Sequence, residues 1–158
     1  MDITFTKDNM RFKYRASALI IENNHILLQK FNDYWTPPGG KVQMLEDSKI
    51  ALKREILEEL STDIEIEQSA IFIEQTYHSQ EKSFHELGVY YFCHSKSLWD
   101  RGISIIGNEN GEDMEYRWFP VNEIDKINIQ PVILKEKLLS ENKDFEHIIN
   151  HEKDQGGI

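Results

Sequence analysis

The segment from Gly39 to Leu60 constrains the fold of this 158-residue chain more than any other. The glycine pair Gly39-Gly40 allows a tight turn and close approach of the backbone. The second half of the segment has a helical hydrophobic period. We therefore predict a helix from about Ser48 to Leu60, with Asp47 or Ser48 as its N-cap.

The predicted helix has two different faces. Glu55, Glu58 and Glu59 fall within one arc about 100° wide, because residues three and four apart are neighbours on a helix. Like charges at this spacing destabilise a helix, and acids near its C-terminus oppose the macrodipole. A bound divalent cation would reverse both effects. We expect these acids to face outward, while a separate apolar arc packs on the core and consists of Ile50, Ile56, Leu57 and Leu60.

The spacing of these residues resembles the Nudix box. In that motif a glycine, five residues and a glutamate are followed by seven residues and the sequence Arg-Glu-aliphatic-any-Glu-Glu-any-Gly-aliphatic. The positions of this chain that match the motif are Gly40, Glu46, Arg54, Glu55, Ile56, Glu58 and Glu59.

Two positions at the end of the motif depart from the family. Ser61 stands in place of the final glycine, and Thr62 in place of the aliphatic residue. That glycine is typical of a helix C-cap with a left-handed backbone, for which serine is a poorer residue. We expect a slightly altered turn, with Ile64 supplying the missing apolar contact.

The resemblance implies hydrolysis of a diphosphate bond in a nucleoside diphosphate-linked or related nucleotide substrate by a metal-activated water. The implied cofactor is Mg²⁺, with Mn²⁺ as a substitute. Glu58 and Glu59 are the expected metal ligands, joined by the Gly40 carbonyl, and Glu55 either shares the metal or accepts the proton of the attacking water. Arg54 orients a carboxylate. Glu46 is expected to support the motif through an ion pair such as one to Arg54, with a role in metal binding as the alternative.

A further acid from a loop before the last strand often serves as metal ligand or general base in this family. We favour Glu112 over Glu115, because Glu112 lies farther from the predicted strand at Trp118. Glu86 is a rival, since an acid in a strand needs a partner or a metal when it faces the core. The general base therefore stays open among Glu55, Glu86, Glu112 and Glu115.

Substrate contacts are expected from basic and aromatic side chains. Arg15 and Lys41 are candidates for phosphate contacts, with ordinary surface charge as the alternative. Trp35 is a candidate for stacking on a base, as are Phe31, Tyr34 and Tyr77, and the alternative is a core or loop anchor. His78 and His85 are candidates for an acid or base, with an incidental role as the favoured alternative, because the sequence defines no partner for either.

The order of hydrophobic patterns predicts an α/β fold. Expected strands cover Arg11–Ile21, His25–Gln29, Ile64–Tyr77, Leu87–Cys93 and Tyr116–Phe119, with a turn at Asn23-Asn24 and an irregular loop from Asp100 to Asp113. A helical turn is expected at Val121–Asp125 and a helix at Pro131–Ser140. This order favours a mixed sheet with helices on its faces, and it is similar to the Nudix α/β/α sandwich.

Length and charge limit the possible classes of protein. With 39% hydrophobic residues, residues 1–158 suit a single domain with a core at about 11–140 and a charged tail at 141–158. The net charge of −10 argues against a nucleic-acid polymer as partner. It permits a small nucleotide that a metal bridges to acidic side chains. A homodimer is possible.

Cysteine usage and hydropathy favour a cytoplasmic location. Cys93 is the only cysteine, which rules out an internal disulfide and fits a reducing compartment. Its apolar surroundings favour a buried structural role over a catalytic thiol, which makes diphosphate isomerase chemistry a weak alternative. No secretion signal or membrane span is expected. The main alternative is that the chain is a catalytically inactive Nudix-like domain with a nucleotide-binding or regulatory role.

Overall fold

The computed structural model describes residues 1–152, which form a ten-stranded mixed sheet with helices on both faces. The strands are β1 Thr4–Lys7, β2 Met10–Glu22, β3 His25–Phe31, β4 Tyr34–Thr36, β5 Gly39–Lys41, β6 Glu65–Ser79, β7 Lys82–His94, β8 Ser104–Glu109, β9 Glu112–Pro120 and β10 Glu146–His151. The helices are α1 Ser48–Leu60, α2 Lys96–Asp100, α3 Leu134–Leu139 and a 3-10 helix at Val121–Lys126. The predicted α/β/α architecture is confirmed.

The sheet divides into two halves at the hairpin between β2 and β3. Asn23 and Asn24 both have positive φ, 47° and 59°, which matches a two-residue type I′ turn. The two strands pair only next to this turn, where Ile21 lies opposite Ile26. Beyond it β2 pairs with β7, β1 and β5, whereas β3 pairs with β4 and β9. The separation of β2 from β3 opens a cleft between the two halves.

Helix α1 packs across this cleft, in contact with β2 and β5 of one half and β8 of the other. Its predicted bounds are confirmed, and Asp47 is the N-cap whose side chain accepts the Ile50 N–H at 2.9 Å. The predicted docking face was wrong in part. Ile50 and Leu57 are 56% and 59% exposed, while the buried side chains of α1 are Ser48, Ala51, Leu52, Ile56, Glu59 and Leu60. Compared with the predicted orientation, the helix is rotated about its axis, so that Glu59 lies on the face that packs against the rest of the protein.

The helix ends at Ser61 without an altered turn, contrary to our expectation. Ser61 itself adopts the left-handed conformation, with φ 54° and ψ 38°. Its N–H donates to the Leu57 carbonyl at 3.0 Å, which caps the last turn. Ile64 is buried in the core beside α1. The end of the helix therefore accommodates serine in place of glycine without a change in the turn.

The segment from Asp100 to Asp113 is a hairpin and not the irregular loop that we predicted. Strands β8 and β9 pair in antiparallel register, with Glu109 opposite Glu112. The turn is Asn110-Gly111, in which φ is 53° and 85°. Asn-Gly is the strongest short hairpin signal in a sequence, and here it lies within a segment rich in charge.

The C-terminal region also contains more regular structure than the predicted charged tail. Strand β10 pairs in parallel with β6, and α3 packs with the 3-10 helix against the sheet face opposite α1. Residues 153–158 of the expected tail lie outside the described residues. The single-domain organisation stays a prediction. None of the helices within residues 1–152 has the length and apolar character that crossing a membrane requires.

Candidate active site

A cavity of about 640 Å³ occupies the cleft between the two halves of the sheet. We call it the central cavity. It is bordered by the acidic face of α1, by the glycines of β5, by β2, β3 and β4, and by the tip of the β8–β9 hairpin. The box residues therefore meet side chains from distant parts of the chain.

Arg54 connects the start of the box to its helix. Its guanidinium donates to Glu46 Oε1 at 2.7 Å and to Glu46 Oε2 at 3.2 Å, in a bidentate pair. It also donates to the Lys41 carbonyl at 3.1 Å and to Glu55 Oε1 at 2.8 Å. The hydrogen bonds from Arg54 are the main reason that the pKa of Glu46 is lowered. The expected ion pair between Glu46 and Arg54 is present.

Both glycines are needed because their backbone is packed too closely to leave room for a Cβ. A Cβ on Gly40 would lie 2.2 Å from Cδ of Glu55, and a Cβ on Gly39 would lie 2.1 Å from the Ala16 carbonyl oxygen. Both distances are far below contact distance. Glu55 thus lies directly against strand β5, where only glycine leaves room for it.

The three box acids have different environments. Glu59 is 5% exposed and accepts a hydrogen bond from the Tyr116 hydroxyl at 3.0 Å. Burial, reinforced by the charges of Glu109 and Glu55, raises the pKa of Glu59 to about 8. Burial also raises the pKa of Glu55, against the opposing effect of Arg54. The Glu58 side chain is 60% exposed, so the prediction that all three acids face outward is wrong for Glu59.

Glu109 also borders the central cavity, beside the three box acids, and sequence reasoning missed it. It lies at the end of β8 and accepts a hydrogen bond from Gln29 Nε2 at 3.2 Å. Gly107 allows β8 to approach α1, because a Cβ there would lie 2.7 Å from the Glu59 carbonyl oxygen. The Asn110-Gly111 turn was the signal that would have located Glu109 at a strand end.

The other candidate acids lie elsewhere. Glu112 is exposed at the start of β9 and does not border the central cavity, and Glu115 borders a separate surface depression. The structure places Glu112 on a hairpin strand and not in the irregular loop for which we favoured it over Glu115. Glu86 is buried in an ion pair with Lys13 at 3.2 Å, so it has the partner that a buried acid needs.

The basic candidates border the central cavity, whereas Trp35 does not. Arg15 and Lys41 are opposite each other on β2 and β5. Strand side chains alternate, so Tyr34 and Thr36 of β4 face the cavity and Trp35 points away from it. The Trp35 ring packs edge-on against Phe119 with centroids 4.8 Å apart. Trp35 is therefore a core anchor. Tyr34, which was also a candidate for stacking on a base, borders the central cavity.

The histidines and the cysteine that we considered lie away from the cavity. His78 hydrogen-bonds Ser83 at 3.0 Å, and His85 contacts the Phe12 ring. Cys93 is fully buried, and this burial raises the pKa of its thiol. A buried thiol with a raised pKa is unreactive, so the cysteine-dependent isomerase alternative has no residue to carry it.

The box residues fit a cation that keeps part of its water shell. Within residues 1–152, no three acidic, histidine or cysteine side chains already converge on one metal position. Mg²⁺ is often held by one or two carboxylates, waters and substrate phosphates. Glu55 and Glu59 are neighbouring, desolvated acids whose raised pKa values a cation would lower. The donor set therefore suits a site that the substrate completes.

Similar folds occur among solved structures. An ADP-ribose pyrophosphatase from Streptococcus suis is 18% identical, with a TM-score of 0.59 and coverage of 85% of this chain and 98% of that one. A NUDIX hydrolase from Nitrosomonas europaea is 19% identical, with a TM-score of 0.56 and coverage of 87% and 78%. A MutT NUDIX hydrolase from Burkholderia pseudomallei is 21% identical, with a TM-score of 0.54 and coverage of 82% and 98%. These three proteins are similar to this chain in their fold.

Sequence comparison identifies the family. No curated protein sequence gives a significant match to this chain. The family model described as the NUDIX domain matches residues 11–138, which extend from β2 to α3 and include the box, the hairpin and every strand that borders the central cavity. The chain therefore belongs to the NUDIX family.

Proposed function

We propose that this chain hydrolyses a diphosphate bond in a nucleoside diphosphate-linked or related nucleotide substrate, with help from a divalent cation. The observation that carries the proposal is the placement of Glu55 against the Gly40 backbone, together with the buried Glu59, in a cavity that Arg15 also borders. Acids on one wall and cations on the other suit a diphosphate that reaches the acids through a metal.

The metal would be held by Glu55, Glu58, Glu59 and the Gly40 carbonyl. We propose Mg²⁺, with Mn²⁺ as a substitute, in keeping with the general use of divalent ions in this family. When bound, such an ion neutralises phosphate charge and lowers the pKa of a coordinated water. The exposed Glu58 is close enough to Arg54, at 3.6 Å, to be steered toward the site.

The chain's own residues would perform the remaining tasks. Arg15 and Lys41 would bind phosphate oxygens and orient the diphosphate. A water oxygen bonds to phosphorus, the bridging phosphorus–oxygen bond breaks, and the water proton passes to a carboxylate. We propose Glu55 or Glu109 as that acceptor, because Arg54 orients the first and Gln29 orients the second.

The test is the formation of nucleoside monophosphate from a nucleotide panel in the presence of Mg²⁺, because hydrolysis of a nucleoside diphosphate linkage gives two monophosphate esters. We expect the double variant Glu58→Gln, Glu59→Gln to lose at least about 100-fold in kcat/KM, as for removal of charged groups that act on the reacting phosphate. Glu65→Gln, an exposed acid of β6, is the matched control and should retain activity. Unchanged turnover in the double variant would refute the assignment. Nucleotide binding without turnover in the wild type would favour a binding domain.

A further inference from the structure

Helix α1 covers only part of the sheet face on which it packs. Its Ser48 hydroxyl hydrogen-bonds the Tyr91 hydroxyl of β7 at 2.7 Å, and Ala16 and Ala18 of β2 belong to the same core cluster as α1. Nearer the start of β2 and β7, the side chains on this face are half-buried or exposed. They belong to five strands that pair in the order β1, β2, β7, β6 and β10. We call this surface, which the described part of the chain leaves uncovered, the open sheet face.

The open sheet face is apolar from one edge to the other. Its extent is marked by Phe5, Phe12, Leu87, Phe72 and Ile149. The rings of Phe5 and Phe12 stack with centroids 5.1 Å apart, and Phe5 at one edge and Ile149 at the other are 66% and 65% exposed. A broad, contiguous hydrophobic surface of this kind marks an interaction site.

The area of the open sheet face is sufficient for a specific interface. Five strands about 4.8 Å apart span about 24 Å, and about six residues along a strand span about 20 Å. Each copy would therefore contribute about 500 Å², taken as a flat surface, and two copies would bury about 1,000 Å² together. This value reaches the lower limit for a specific contact between two proteins.

The open sheet face also lacks the uncompensated charge that keeps copies of this chain apart. The chain has 28 acidic and 18 basic residues, so two copies repel each other over most of their surface. The acid on this face is Glu74, and its carboxylate hydrogen-bonds His147 Nε2 at 2.6 Å. Lys13 and Arg15 alternate with Phe12 along β2 and therefore point to the opposite face. Two copies can meet here without bringing unpaired carboxylates together.

We propose that the open sheet face binds a second copy of this chain in a symmetric dimer, and this inference is independent of the proposed hydrolysis. In a two-fold dimer the same patch serves both copies. A two-fold axis along β7 sets β1 of one copy over β10 of the other, so that Phe5 packs on Ile149 of the second copy. Leu87 then lies near the axis. This axis keeps the strands of the two sheets within about 30° of each other, as in aligned sheet packing.

The test is the molar mass in solution, measured by sedimentation equilibrium over a range of protein concentrations. The wild type should have twice the mass of one chain at about 10 µM and above, since interfaces of modest area give micromolar or tighter affinity. The double variant Phe5→Lys, Ile149→Lys brings two lysines together at both edges of the dimer, and like charges across an interface oppose association. We expect its dimer dissociation constant to rise at least about 10-fold.

The double variant Ile103→Lys, Ile106→Lys is the matched control. It adds the same two charges at exposed positions near the opposite edge of the sheet. Ile106 lies opposite Glu115 in the strand register, just as Ile149 lies opposite Glu74, so each new lysine at these two positions faces an acid of its own chain. The control should dimerise as the wild type does.

A wild type that stays monomeric at about 100 µM would overturn the proposal and leave the face to a partner of another kind. A dimer that Phe5→Lys, Ile149→Lys leaves intact, or that the control weakens equally, would also overturn it. If the lysine variant does not fold, oxidation of the variant Phe5→Cys, Ile149→Cys decides. Its two cysteines are about 19 Å apart within one chain, too far for an internal disulfide, so the proposal requires a covalent dimer. A product that remains a single chain would reject it.

Discussion

The hydroxyl of Tyr116 donates a 3.0 Å hydrogen bond to the carboxylate of Glu59. This contact joins α1 to β9 and holds an acid on the buried face of a helix. The hydrogen bond lowers the pKa of Glu59, although burial outweighs it and leaves the pKa raised. Tyr116 therefore links the packing of α1 to the protonation of Glu59 in the central cavity.

Replacement of Tyr116 by Phe should destabilise the protein and impair catalysis. The variant leaves the buried Glu59 without this donor, which we expect to lower the free energy of unfolding by about 1–3 kcal/mol. Urea denaturation measures this change, and the metal dependence of kcat/KM reports on Glu59. Tyr14→Phe is the control, because the Tyr14 hydroxyl has no hydrogen bond within residues 1–152. Equal stability of the two variants would contradict the role of Tyr116.

Replacement of Arg54 by Lys should reduce activity even though the charge is kept. Lysine cannot reproduce the bidentate pair with Glu46 together with the contacts to Lys41 and Glu55. We expect kcat/KM to fall by about 10- to 100-fold as Glu55 loses its orientation, an effect comparable to the loss of a supporting partner at a metal site. Lys53→Ala, which removes the surface ion pair to Asp63, should have little effect. Full activity in Arg54→Lys would show that the guanidinium is dispensable.

Replacement of Ser61 by Gly should stabilise the protein. Ser61 has a left-handed backbone, which costs a residue with a Cβ about 1–2 kcal/mol and costs glycine nothing. Glycine loses more conformational entropy on folding, so we expect a net gain of about 0.5–1 kcal/mol in the free energy of unfolding, measured in urea. Ser61→Ala keeps the Cβ and should give no gain. A gain in both variants would indicate a cause other than the backbone.

The stability contributed by His94 should depend on pH. His94 hydrogen-bonds the Glu67 carboxylate and contacts the Ile21 carbonyl at 2.9 Å, and these bonds, chiefly the one to Glu67, raise its pKa. Because the folded-state pKa exceeds the unfolded value of about 6.5, the contribution is complete below that pH. It is lost as the pH rises through the folded-state pKa.

Unfolding measurements on the wild type and His94→Gln test this dependence. The wild type should exceed the variant in free energy of unfolding by more at about pH 6 than at about pH 9. His25→Gln serves as the control, since within residues 1–152 the His25 ring nitrogen contacts a backbone carbonyl and no carboxylate. A difference between wild type and His94→Gln that stays constant with pH would show that His94 contributes through packing alone.

The local rules of the sequence were sufficient for α1 and for the first hairpin. The 3.6-residue period and the cap at Asp47 set the bounds of α1, and Asn23-Asn24 set the turn between β2 and β3. The same rules applied to Asn110-Gly111 would have found the second hairpin. They would also have placed Glu109 at a strand end, ahead of Glu112.

The sequence by itself determined the family and the members of the acidic cluster, because the spacing from Gly40 to Glu59 is a property of consecutive residues. Only the tertiary structure decided which of these acids is buried. It also decided that Glu109 and not Glu112 borders the cavity, and that Trp35 faces the core. The physical reason is that periodicity defines the faces of a helix or strand but not what lies against them. The partners of Glu59 come from β8 and β9, about a third of the chain length away, and their packing on α1 selects the buried face.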